Sequence, residues 1–350
     1  MKKNVLFIAA AVMLTACSGN KSAAPGDGAK IPVKVIFETD MGNDVDDALA
    51  YDMLMKYMEQ GDIELLGVSS NRSDTSSVQY IDVLNTWYGH PEIPVGHVTD
   101  GVLSHDAVAY DQAVLDLNAP DGTPLFARTH ASDGTIKPSV TLYRELLAAQ
   151  PDTSVTVVSV GFSTNLAALL ASQPDSISPL SGRDLVAQKV ARLVTMAGNM
   201  TDTTFCEYNI IRDVPAAKTV FEQWPTEIVT SPFELGINVL YPGSSIENDF
   251  AWAQPAHPVV EAYKAYLPMP YDRPAWDLTA LLYAVEGPEG YFAVSEPGRI
   301  SVDDKGATTF TPSPDGNRRY LMADSTQMAN IVKRFVEFIP AAPERYAPTK

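Results

Sequence analysis

The chain has 350 residues, with 25 Lys and Arg against 43 Asp and Glu, so its formal net charge at pH 7 is −18. Proteins that bind nucleic acid need a basic surface, so this charge argues against a nucleic-acid partner. A small neutral ligand together with a cation agrees with it better. There are only two cysteines, Cys17 and Cys206.

The N-terminal residues have the pattern of a targeting signal. Two lysines precede an apolar run at 5–14 that is too short to span a bilayer, and Leu14-Thr-Ala-Cys17 follows. This ending resembles the lipobox of bacterial lipoproteins, in which Cys17 would be lipidated; the alternative is an ordinary secretory signal with an incidental cysteine. We expect a signal peptide over 1–16 and a flexible tether over 17–30. The protein would then sit in the cell envelope, at the outer membrane, touching the membrane only through its lipid.

Apolar and amphipathic runs alternate over residues 31–350, which predicts one α/β domain with a mostly parallel sheet flanked by helices. The predicted strands lie near 33–37, 63–69, 93–96, 155–160, 192–196 and 227–230. The predicted helices lie near 46–60, 76–88, 139–150, from 165 onward, 213–223, 255–266, 277–285 and 325–338. Residues 292–322 are predicted to form small antiparallel hairpins. Residues 97–137 are irregular and long enough to indicate a lid or a binding loop.

An acidic stretch follows the first predicted strand. Asp40, Asp44, Asp46 and Asp47 fall within eight residues around a single glycine. Such charges repel one another unless a cation or a set of donors neutralises them. Because a strand, a turn and a helix place them at the carboxyl edge of the sheet, and oxygen ligands suit Ca²⁺, the stretch predicts a metal site. Helix capping would explain one or two aspartates but not four, and the spacing does not match an EF-hand.

Further polar residues follow the other predicted strands and should converge on the same edge of the sheet. They are Asn71, Thr164, Asn165, Asn199, Glu207, Asn209 and Asp277. Carboxylates with a metal can grip vicinal hydroxyls, while asparagines satisfy donors and acceptors together, so the set indicates a polyol site. Taken alone, Asn71 and Asn199 would be turn residues and Asp277 a helix cap. Asp213 is predicted to be a helix cap in any case.

Four ordered motifs resemble those of the inosine–uridine-preferring nucleoside hydrolase family. The first is Asp40-Met-Gly-Asn-Asp-Val-Asp-Asp-Ala-Leu-Ala, and the second is the apolar strand that leads to Thr164-Asn165. The third is Glu207-Tyr-Asn with Asp213-Val-Pro-Ala-Ala after it, and the fourth is Trp276-Asp277. The resemblance covers about residues 33–340.

The resemblance implies a role for each matching residue. Ca²⁺ would be held by Asp40, Asp47, the main-chain carbonyl of Thr164 and Asp277. Asp40 would also be the general base. Asp46, Asn71, Glu207 and Asn209 would hydrogen-bond the sugar. Apart from the resemblance, we also predict that Asn199, which follows a strand, and Trp276 contact the substrate.

Two departures from the family pattern leave assignments open. Five residues separate Asp40 from Asp46, where the family usually has three, so Asp44 is an alternative to Asp46. Trp276 stands where many members have a histidine that assists the leaving group. Trp276 could stack on a purine or simply pack, and His105 is the residue we would test as a substitute acid.

The sequence therefore predicts a Ca²⁺-dependent enzyme that hydrolyses the N-glycosidic bond of nucleosides to ribose and free base. One alternative is a riboside-binding lipoprotein without catalysis, and another is a hydrolase of a different glycosidic bond. A homo-oligomer is compatible with the sequence, which does not fix the oligomeric state.

Overall fold

The computed structural model describes residues 31–102, 109–129 and 136–346. The signal, the tether, Cys17 and His105 lie outside this range. The strands are β1 (Val33–Thr39), β2 (Ile63–Arg72), β3 (Val95–Val102), β4 (Lys137–Pro138), β5 (Val155–Ser159), β6 (Val190–Met196), β7 (Glu227–Ser231), β8 (Leu240–Tyr241), β9 (Arg273–Pro274), β10 (Ala293–Val294), β11 (Gly298–Val302), β12 (Thr308–Pro312) and β13 (Arg318–Met322).

The helices connect and cover these strands. They are α1 (Asp46–Glu59), α2 (Thr75–Tyr88), α3 (Tyr110–Leu115), α4 (Ser139–Ala148), α5 (Thr164–Ala171), α6 (Gly182–Lys189), α7 (Tyr208–Ile211), α8 (Val214–Gln223), α9 (Phe233–Gly236), α10 (Gly243–Asn248), α11 (Pro258–Tyr266), α12 (Trp276–Glu286) and α13 (Ser325–Phe338). Across the described ranges, none of these helices combines the length and the apolar character that crossing a bilayer requires.

The main sheet runs in the order β12-β11-β13-β7-β6-β5-β1-β2-β3-β4. From β13 to β4 every neighbouring pair is parallel, whereas β11 and β12 are antiparallel additions and β10 pairs antiparallel with β13. The predicted α/β class, with a mostly parallel sheet and a small antiparallel region near the C-terminus, is confirmed.

Strand β1 lies inside the sheet and is buried on both faces. Val35 and Phe37 pack into one hydrophobic cluster, which includes Leu49 of α1. Ile36 points to the opposite side and packs into a second cluster, which includes Leu166 of α5. Since successive side chains of a strand point to opposite faces, both faces are covered by helices, as in other parallel sheets.

The predicted elements differ from the observed ones mainly where local periodicity is weak. Strand β3 begins later and extends further than predicted, and α3 and β4 lie in the segment that was predicted to be irregular. Helix α6 was not predicted, because its eight residues include only a short apolar patch around Leu185 and Val186. The predicted cap at Asp213 is confirmed, since its side chain accepts a hydrogen bond from the Ala216 amide.

Candidate active site

The acidic stretch forms a tight turn between β1 and α1. The Asn43 amide donates to the Asp40 carbonyl at 3.2 Å, and Gly42 has a φ of +102°, which disfavours any residue with a side chain. The Asn43 side chain donates to Asp40 Oδ2 at 3.0 Å. Asp46 and Asp47 begin α1 and are almost completely buried, as is Asp40.

Helix α12 brings Asp277 to this stretch, although Asp277 lies 231 positions after Asp46 in the sequence. The Asp277 amide donates to Asp46 Oδ2 at 3.1 Å. Carboxylate oxygens of Asp46, Asp47 and Asp277 all lie within 4.8 Å of one another. Oxygen donors gathered at such distances fit a hard divalent cation such as Ca²⁺.

The electrostatics of these carboxyl groups favour a bound cation. Burial first, and repulsion from neighbouring aspartates second, raise the pKa of Asp46, Asp47 and Asp277 well above their usual range. Burial raises the pKa of Asp40 to about 7, although the positive charge of Arg72 opposes this shift. A divalent cation at this point would reverse the repulsion and stabilise the ionised carboxylates.

The carboxylates line one side of a cavity of about 220 Å³. The lining consists of Asp40, Asn43, Asp44, Asp46, Asp47, Val160, Met196, Glu207, Tyr208, Asn209, Phe233, Trp276 and Asp277. Phe233 and Trp276 stack with their ring centroids 5.6 Å apart, and the Trp276 indole donates to the Phe233 carbonyl at 3.0 Å. The cavity therefore has an acidic floor and an aromatic wall whose indole ring is held in place.

Glu207 and Asn209 line the cavity from the start of α7. The Glu207 carboxylate caps this helix by accepting from the Asn209 and Ile210 amides, and it also accepts from the Gly198 amide at 2.9 Å. Burial raises the pKa of Glu207 to about 7. The Asn209 side-chain nitrogen donates to the Val160 and Met196 carbonyls, so its oxygen is the group that can face a ligand.

Among the described residues, four that were predicted for the site do not line the cavity. Asn165 donates to the Ser70 carbonyl at 3.2 Å. Asn71 is buried and donates to the Phe162 carbonyl at 3.0 Å. The Thr164 hydroxyl donates to Asp213 Oδ2 at 2.6 Å. The Asn199 side-chain oxygen accepts from the amides of residues 201 and 202, as a turn residue does. Their roles toward a ligand stay predictions.

Asp44 is held by a residue that sequence reasoning missed. Arg273, which forms β9 with its neighbouring proline, donates from Nε to Asp44 Oδ1 at 2.8 Å and from Nη2 to Asp44 Oδ2. Since both Asp44 oxygens accept from one guanidinium, Asp46 is the better candidate for a contact with the substrate. No local sequence pattern links residues 44 and 273. The one available signal was an arginine close to Trp276-Asp277, whose positive charge could pair with an aspartate of the acidic stretch.

Most of the sequence matches one family of known proteins. A model of the family described as inosine-uridine preferring nucleoside hydrolase matches residues 35–334. The pyrimidine-specific ribonucleoside hydrolase RihA of Citrobacter koseri is 28% identical over 191 residues, which are 54% of this chain and 56% of that protein. The chain thus spans about half the length of the curated relatives it matches.

Solved structures match over a greater length. The purine-preferring ribonucleoside hydrolase from Gardnerella vaginalis superimposes with a TM-score of 0.66 at 18% identity, covering 88% of this chain and 98% of that one. An inosine-guanosine nucleoside hydrolase gives the same TM-score and identity and covers 88% and 99%. These likenesses show that the fold is shared.

Proposed function

Because the chain belongs to the inosine–uridine-preferring nucleoside hydrolase family, we propose that it hydrolyses the N-glycosidic bond of ribonucleosides in a Ca²⁺-dependent reaction. The products would be ribose and the free base. The observation that carries this proposal is the meeting of Asp46, Asp47 and Asp277 beside Asp40, in a cavity with an aromatic wall.

The cation would be held by Asp40, Asp47, Asp277 and the main-chain carbonyl of Thr164. When bound, it would make water more acidic and grip the vicinal hydroxyls of ribose. Asp40 would take the proton from the attacking water. The Asn43 side chain orients it, and a bound cation would lower its pKa and keep it ionised near neutral pH, as a general base requires.

The remaining polar groups would bind the sugar and stabilise the transition state. Cleavage of a glycosidic bond passes through an oxocarbenium-like state, which nearby carboxylates and amide oxygens stabilise electrostatically. The position of Asp46, Glu207 and Asn209 in the cavity lining supports this role for them. The base would lie against Trp276, whose ring cannot supply a titrating proton.

The test is to incubate the purified protein with inosine, uridine and adenosine and to assay free ribose with and without a chelator. We expect ribose release that is lost with chelator, restored by Ca²⁺ and abolished by Asp40→Asn. Tight binding of ribosides without turnover would support a binding protein instead. Release of sugar from another glycoside, but from none of these three, would indicate a different substrate bond.

We also propose that the protein is attached to the cell envelope by a lipid on Cys17. The support is the lipobox-like sequence alone, because Cys17 lies outside the described residues. Labelling of the wild type with radioactive palmitate, and no labelling of Cys17→Ala, is the expected result. Equal labelling of both proteins would overturn it.

A further inference from the structure

The turn that carries Asp40 is held by residues outside the acidic stretch. The Met41 carbonyl accepts a hydrogen bond from Arg72 Nη1 at 3.2 Å. The next residue, Gly42, donates its amide to the Tyr110 hydroxyl at 2.8 Å. Two consecutive residues of the turn are therefore fixed from β2 and from α3.

Arg72 is itself held in one orientation. It is the last residue of β2 and is 4% exposed. Its Nε donates to Asp74 Oδ2 at 3.0 Å, and its Nη1 lies 3.7 Å from Asp111 Oδ2, an ion pair whose acid is fully buried. A buried guanidinium is costly unless acids pair with it, and its planar fork fixes the direction of each contact.

The turn backbone lies directly against this ion pair. A Cβ placed on Gly42 would be 2.1 Å from Arg72 Nη1 and 2.3 Å from Asp111 Oδ2. Tyr110 and Asp111 are the first residues of α3, which packs against α2 and α11. The contacts to the turn thus come from elements that are anchored elsewhere in the fold.

We propose that Arg72 and Tyr110 are positioning residues that hold the Asp40 turn in the shape that binds the cation, and that Asp111 orients Arg72. Asp40 is the first residue of this turn, so a shift of the Met41–Gly42 peptide moves the Asp40 carboxylate relative to Asp47 and Asp277. The inference rests on the proposed function, because the role of Asp40 as ligand and base is part of that proposal.

The test compares Ca²⁺ affinity, measured by titration calorimetry, with hydrolysis at saturating Ca²⁺. For Arg72→Gln we expect Ca²⁺ affinity and kcat each to fall about 10- to 100-fold, the range seen when groups behind metal ligands are removed. KM should change less than about threefold, since the sugar contacts remain. Arg72→Lys should recover part of the loss, because an ammonium group can replace some but not all of the contacts to the Met41 carbonyl, Asp74 and Asp111.

The matched control is Arg144→Gln. Arg144 is also buried, at 2%, and its guanidinium donates to Asp175 and to the Ser178 and Leu180 carbonyls, away from the cavity. This variant should lose thermal stability and keep the Ca²⁺ affinity of the wild type. If lower stability alone reduced Ca²⁺ affinity in Arg72→Gln, Arg144→Gln would show the same reduction.

Wild-type Ca²⁺ affinity in Arg72→Gln would overturn the proposal. If that variant does not fold, Tyr110→Phe decides, because it removes only the hydroxyl that accepts from Gly42; unchanged affinity there would equally overturn the proposal. A wild-type protein that binds Ca²⁺ but hydrolyses no riboside would overturn the proposed activity alone. The comparison of affinities would still decide the roles of Arg72 and Tyr110.

Discussion

The main-chain amide of Asp277 donates a hydrogen bond to the side chain of Asp46 at 3.1 Å, across 231 positions of sequence. The bond joins the first turns of α1 and α12, so both helix N-termini, which favour negative charge, face the same cluster of acids. The tertiary fold therefore assembles the acidic cluster, and mutation, pH and added metal can each test its role.

Replacing Asp277 by asparagine should have opposite effects on metal binding and on metal-free stability. Loss of one anionic ligand should weaken Ca²⁺ binding about 100-fold, equivalent to about 2.8 kcal/mol. Without metal, the same change removes a charge that repels Asp46 and Asp47, so the melting temperature in chelator should not fall. Calorimetric titration and thermal melts check the two effects, and a lower metal-free melting temperature would contradict the expected repulsion.

The metal-free protein should become less stable as the pH rises. The folded-state pKa values of Asp46, Asp47 and Asp277 are raised above their ordinary value of 3.8, so these groups contribute stability when protonated. That contribution is fully present below pH 3.8 and is lost as the pH rises through the folded-state values. Melting temperatures in chelator should therefore be lower at pH 8 than at pH 5.5.

Calcium should reverse this dependence, because protons compete with the ion for the same oxygens. At a fixed Ca²⁺ concentration equal to 100 times the Kd at pH 8, the ion should stabilise the folded state by about 2.7 kcal/mol at pH 8, and by less at pH 5.5, where its Kd is higher. The control is Asp46→Asn/Asp277→Asn, in which the dependence of the chelated protein on pH should be shallower. Equal slopes in the two proteins would show that the cluster is not its source.

The pair formed by Asp44 and Arg273 should be energetically coupled. Both side chains are 21% exposed, and the guanidinium also lies over the Tyr266 and Trp276 rings. A double-mutant cycle with Asp44→Asn and Arg273→Gln, measured by urea unfolding, should give a coupling energy of about 1–3 kcal/mol. The same cycle on the more exposed Glu227–Arg319 pair should give less than about 1 kcal/mol.

Trp276 should contribute to binding of the base and not of the metal. Stacking of a base on an aromatic side chain is worth about 1–3 kcal/mol by alanine substitution, so Trp276→Ala should raise KM about 5- to 150-fold. Trp276→Phe should keep part of the stacking energy and so raise KM less, and Ca²⁺ affinity should stay the same in both variants. If KM is unchanged in Trp276→Ala, the indole serves only to pack against Phe233.

Much of the fold and of the acidic site could be predicted because both leave local patterns in the sequence. Alternating apolar runs indicated the parallel sheet, and strand ends rich in polar residues indicated the edge at which Asp40, Glu207 and Asp277 meet. The residues that hold the acidic stretch in position could not be predicted in this way. Arg273 and Tyr110 act through contacts with residues far away in sequence, and α3 lies in a segment without clear periodicity.

Because Asp46 and Asp277 lie 231 positions apart, the contact between them can form only late in the synthesis of this stretch of chain. A nascent chain that has emerged as far as β8 already carries all four aspartates of the acidic stretch, but neither Arg273 nor Asp277 is there to meet them. Domains fold as units once enough of the chain is available. The ion would thus be bound only after the segment that carries Arg273 and Asp277 has been synthesised.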